Sequence, residues 1–98
     1  MIRRSVLYYM HIYNGGGFIE DEEGRDLADD ETARAEAIAA ARDVMAGDLR
    51  EGRLDLFSYV AVENEAHEPL FTIVFRDAVE IRTGPAAPSR RGGGESRE

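Results

Sequence analysis

Only one segment of this chain carries a helical period, and it has to shield strands that are apolar on both faces. From about Asp30 to Glu51, Ala37, Ile38, Ala41, Val44, Met45 and Leu49 recur at three- and four-residue steps, which predicts an amphipathic helix of about six turns. The other apolar runs, Ser5 to Tyr13, Leu56 to Glu63 and Leu70 to Arg76, are short and rich in β-branched and aromatic residues, so they read as strands. In the first of these, Val6, Tyr8, Met10 and Ile12 occupy one face and Leu7, Tyr9, His11 and Tyr13 the other. A four-stranded sheet is about 19 Å across at roughly 4.8 Å per strand. One helix covers one face of such a sheet and leaves the second to something else.

Turn signals set the order of these elements. Asn14-Gly15 after the first run predicts a hairpin with both central residues at positive φ, lengthened by Gly16 and Gly17, and a returning strand over Phe18 to Glu22. Asp29 or Asp30 is placed to cap the helix, Glu31 favours its positive end, Arg50 its negative end, and Gly52 suits the left-handed position after it. Gly47 inside the helix is a weak point. Asn64 to Pro69 forms the turn between the last two strands. The expected fold is α+β: an antiparallel four-stranded sheet in two hairpins, in the order β-β-α-β-β, with one long helix packed on one face. Residues 1–82 are expected to form this single domain and residues 83–98, rich in Gly, Pro, Ser and charge, a disordered tail whose arginines offer weak electrostatic contact. The expected core is Val6 or Leu7 with Tyr8, Met10, Ile12, Ala37, Ile38, Ala41, Val44, Met45, Leu49, Val60, Val62, Ile73 and Phe75.

Composition excludes several functions. No cysteine is present, so disulfides, thiol nucleophiles and cysteine-based zinc sites are absent. The net charge is −8 and all twelve basic residues are arginine, a balance that repels phosphate backbones and argues against nucleic acid as a partner. No apolar run reaches the roughly 18 to 20 residues of a membrane span. The N-terminal stretch, with Tyr and His among its apolar residues, reads as a strand and not a signal peptide, and the protein is expected in the cytoplasm.

Eight of the twelve residues from Glu20 to Glu31 are acidic. A calcium loop of the helix-loop-helix kind fails on this stretch: counted from Asp21, Arg25 falls at a ligand position and Asp26 where glycine is required. These acids read instead as protection of a strand edge and as the charged start of the helix. His11 and His67 are the only histidines, too few without carboxylate help for zinc, and no cofactor, metal or catalytic residue is assigned. His11 lacks an evident nucleophile, since Ser5 and Ser58 read as ordinary strand residues.

In fixed order, Tyr8 to His11 before a turn, Asp21 to Gly24 before an Ala/Arg/Glu helix at Ala33 to Ala37, and Phe75 to Ala78 resemble the family of short bacterial proteins designated domain of unknown function sixty-eight ninety-four. The resemblance spans roughly Ser5 to Val79. The chain departs from it at Val74, where the family often has Pro, and at Asn64 to Glu68, where the family has an Asp-Glu-x-Gly turn. No activity is implied by it. The leading expectation is therefore a non-enzymatic protein-protein interaction module, a homodimer through its helix-free sheet face or a strand edge, with Tyr9, His11 and Tyr13 as the interaction face. A basic protein is a further possible partner. The competing expectation is a small enzyme or ligand-binding protein with its site near His11 on that face.

Overall fold

In the computed structural model, which describes residues 5–85, the β-branched N-terminal run forms β1 (Val6–Asn14). The hairpin turn after it centres on Gly15 and Gly16, with φ of 60° and 86°, one residue later than the Asn14-Gly15 centre expected from sequence. Asn14 instead pairs with Gly17 at the start of β2 (Gly17–Ile19). The expected single return strand over Phe18 to Glu22 is not formed. β2 stops after three residues, and a further strand, β3 (Arg25–Leu27), pairs with the first half of the same edge of β1, giving five strands in place of four.

The split has a local cause. The Met10 amide faces the gap between β2 and β3, and it donates to the Asp21 carboxylate at 3.0 Å where a strand carbonyl would otherwise accept. The other oxygen of Asp21 accepts from the Gly24 amide at 2.9 Å, and Gly24 turns the chain back at φ 72°. A run of carboxylates thus interrupts the ladder, and one of them replaces the missing backbone acceptor.

Helix α1 (Asp30–Arg50) begins at Asp29, whose carboxylate accepts from the Thr32 amide at 2.8 Å and its hydroxyl at 2.7 Å. It ends in a Schellman arrangement: Gly52 at φ 85° donates to the Leu49 carbonyl, and Arg53 to that of Asp48. Ala33, Ala37, Ala41 and Met45 form a buried stripe at four-residue spacing, and the small alanines let the helix lie close to the sheet. β4 (Tyr59–Glu63) and β5 (Pro69–Val74) follow, shorter than expected at both outer ends. Leu56 to Ser58 form a lead-in turned by the Asp55 carboxylate, and Phe75–Ala78 is a short 3-10 turn.

All pairs are antiparallel and the sheet runs β2-β1-β4-β5, with β3 beside β2 on β1. The helix covers the face bearing Tyr8, Met10, Val60, Val62, Ile73 and Phe75, which settles the strand parity. Arg34 of the helix lies 4.5 Å over the Phe71 ring on the same side. Ile12, Ile38 and Val44 pack at the margin of this core. Leu49, expected inside, is 57% exposed and lines an open recess with Leu54, Leu56 and Ile81, and Val6 also lies outside. Ala33 and Ala78 are buried members the sequence pattern did not single out. Among the described residues no helix is long and apolar enough to cross a membrane. The expected tail lies mostly outside the described residues.

Two glycines in this frame give opposite expectations. A Cβ on Gly47 meets nothing, so Gly47→Ala should raise stability by about 0.8–1 kcal/mol. A Cβ on Gly24 would sit 2.9 Å from the Tyr8 carbonyl oxygen at a positive φ, so Gly24→Ala should lower it. Urea denaturation of both variants measures the pair of signs.

Candidate functional site

The β1–β4 register stacks the odd residues of β1 on the helix-free face. Tyr9 lies opposite Glu63, His11 opposite Ala61 and Tyr13 opposite Tyr59, while Phe18 of β2 lies opposite Tyr13 from the other side. Cross-strand neighbours on one face are close enough for rings to touch. The result is an aromatic ladder. His67 stacks on Tyr9 with centroids 4.3 Å apart, Tyr9 is parallel to His11 at 6.4 Å, His11 meets Phe18 at 5.9 Å, Phe18 meets Tyr13 at 4.5 Å, and Tyr13 stacks on Tyr59 at 4.7 Å. The three residues expected to form one interaction face, Tyr9, His11 and Tyr13, lie together on it.

His11, only 6% exposed, is held at both ring nitrogens. The Asp21 backbone amide donates to Nδ1 at 3.1 Å, so the neutral ring carries its proton on Nε2, which donates to the Glu63 carboxylate at 3.0 Å. The same Glu63 oxygen accepts from Nδ1 of His67 at 3.1 Å. Hydrogen bonds from His11 and then His67 hold the Glu63 carboxyl below its usual range. His67 stands in the left-handed region at φ 65°, unusual for a residue with a side chain. The turn is fixed around it by Asn64, whose side-chain oxygen accepts from the amides of Ala66 and Glu68.

Among the described residues, His11, Glu63 and His67 are the cluster with metal-ligand spacing, their donor atoms lying within 4.8 Å of one another. The chemistry of the set does not fit a resident transition metal. A metal on Nε2 of His11 requires the neutral ring to carry its proton on Nδ1, and that nitrogen faces the N–H of Asp21. Metal-bound histidines normally point the second nitrogen at an acceptor. The acidic stretch is committed elsewhere: Asp21 to amides, Asp29 to the helix cap, and Asp30 to the Tyr8 hydroxyl at 2.7 Å. Ser58 accepts from the Gly15 amide and donates to Asn14, whose amide reaches Asp48, so it ties the hairpin to the helix end.

The residues that complete the site, Glu63, His67, Asp21, Phe18 and Tyr59, were not legible as partners of His11. Glu63 is 52 positions away, and only the strand register joins them. A family model, Domain of unknown function (DUF6894), matches residues 7–76. The chain belongs to this family. Its matched span contains every residue of the ladder and of the hydrogen-bonded cluster beneath it. No curated protein and no solved structure matches the chain.

Three measurements check this chemistry. Asp21→Ala leaves the Met10 and Gly24 amides without their acceptor and should cost about 2 kcal/mol or more in urea denaturation. Stoichiometric Zn²⁺ should leave Tm unchanged, and a rise of several degrees would contradict the tautomer argument. Burial, reinforced by Asp30, pushes the Tyr8 phenol from 10.0 up to about 12. Its contribution to stability is therefore complete below pH 10 and is lost as pH rises through about 12, so tyrosinate absorbance should show one phenol titrating last, together with unfolding.

Proposed function

We propose that this chain is a small, non-enzymatic protein-protein interaction module that acts as a homodimer and presents its helix-free aromatic face, Tyr9, His11 and Tyr13 extended by Phe18 and Tyr59, to protein partners. The observation that carries the reading is the ladder itself, an unbroken row of rings on the side of the sheet that the single helix does not reach. Phe18 is 52% exposed and Tyr13 36%, and tyrosine and phenylalanine are the residues that protein interfaces favour. Arginine side chains of a basic partner would stack on such rings and meet the surrounding acids. The net charge of −8 weighs against phosphate-bearing partners. The cysteine-free composition is in keeping with the cytoplasm.

The competing reading, catalysis or ligand binding at His11, has less support. Both ring nitrogens of His11 are engaged. Cavities of about 310 and 400 Å³ lie away from the aromatic face, one of about 250 Å³ is lined by Tyr13, Phe18 and Tyr59 at its hairpin end, and His11 lines none of the three.

Light scattering at high micromolar concentration should return twice the chain mass of 10.9 kDa. A monomer mass contradicts the homodimer. Titration with an arginine-rich peptide should shift the ring signals of Tyr9, Tyr13 and Phe18, and unchanged rings would contradict the face.

A further inference from the structure

The chain has two asparagines, and Asn14 is the one followed by glycine. An asparagine in that setting is open to attack from its own backbone: the amide nitrogen of the next residue reaches the side-chain Cγ and closes a succinimide ring. A side chain on the following residue crowds that approach, and glycine has none. Gly15 is exposed, and nothing lies within 4 Å of where a Cβ on it would stand, so its flank is open to water. Sequence and exposure alone make this hairpin reactive.

The fold ties down each group that has to move. The Gly15 amide, the nucleophile, donates to the Ser58 hydroxyl oxygen at 3.2 Å. That hydroxyl donates to Oδ1 of Asn14 at 2.7 Å and so fixes the carbonyl under attack. Nδ2 of Asn14, the leaving group, donates to the Asp48 carboxylate at 3.0 Å. Ser58 is 4% exposed, so water competes little for its hydroxyl, and the backbone of Asn14 is held opposite Gly17 in the β1–β2 ladder.

We propose that Asn14 is a site of spontaneous deamidation, held in check in the folded protein by Ser58 and Asp48. In the reaction the Gly15 nitrogen gives up its proton and bonds to Cγ of Asn14, the Cγ–Nδ2 bond breaks, and that nitrogen leaves as ammonia with the proton. Water then adds to either carbonyl of the succinimide and opens it, leaving aspartate or isoaspartate at position 14. Ring closure requires the Asn14 amide to leave Ser58 and Asp48 and the Gly15 N–H to leave Ser58, so it runs from a locally opened hairpin. The product does not close again as before. Its new carboxylate faces that of Asp48 where an N–H had donated, and like charges so placed repel. The hairpin, which carries Tyr13 and Phe18 of the aromatic face, loses its tie to the end of the helix.

Incubation of the full chain in mildly alkaline buffer, followed by mass spectrometry of the peptide containing residue 14, tests this. The folded chain should deamidate roughly tenfold or more slowly than the same chain unfolded in guanidinium chloride, because the reaction draws on the open fraction alone. Ser58→Ala and Asp48→Ala should each speed it several-fold, whereas Gly24→Ala, which loosens the molecule away from this clamp, should not. Asn14→Asp, standing for the product, should lower Tm by several degrees at neutral pH, and Asp48→Asn added to it should recover most of the loss by restoring a donor. Equal rates in the folded and unfolded chain, or no reaction in either, overturn the proposal. A slower reaction in Ser58→Ala overturns it as well, since Ser58 would then be passing the Gly15 proton to the Asn14 carbonyl. Acceleration by Gly24→Ala equal to that by Ser58→Ala places the control in global unfolding and overturns the roles of Ser58 and Asp48.

Discussion

The antiparallel ladder between β1 and β4 is the interaction on which the rest of the structure depends. It joins residues about fifty positions apart and fixes which side chains of each strand share a face. With Met10 opposite Val62 and Ile12 opposite Val60, the even residues of β1 meet the alanine stripe of the helix. The same register puts His11 within reach of Glu63 and Tyr13 against Tyr59 on the other side. A slip of one residue would move every one of these side chains to the opposite face.

On the opposite edge of β1, Asp21 stands in for a strand partner where pairing with β2 and β3 fails. Its carboxylate takes the Met10 amide and its own amide fixes the tautomer of His11, so one residue of a highly acidic run links the sheet edge, the ladder and the buried histidine. The acids around it have a different part. They line one edge of the sheet, while β5 at the far edge is uncharged.

Much of the fold was legible in the sequence because its signals are local. The helix from Asp30 with its cap at Asp29 and its stop at Gly52 follows from spacing, capping chemistry and a left-handed glycine. The α+β class follows from one helical period among short β-branched runs. The split of the second strand was not legible, because it depends on the side chain of Asp21 accepting from the Met10 amide eleven residues away. Leu49 fits the helical stripe and is still exposed, since periodicity identifies a face and says nothing about what packs over each residue of it. The faces of β1 were readable by parity, so Tyr9, His11 and Tyr13 could be grouped in advance. Glu63 and His67 could not be joined to them without the register, and the positive φ of His67 has no local marker.

The sheet has one face closed by its helix and one edge lined by charge, and the β1–β4 pairing at its centre holds both faces in place. Amide hydrogen exchange of the unaltered protein reads the β1–β4 ladder directly, because that pairing lies at the centre of the sheet. The amides of His11 and Ala61, paired across it, should exchange far more slowly than the turn amide of Gly16. Exchange of the two at the rate of freely exposed amides would contradict the account.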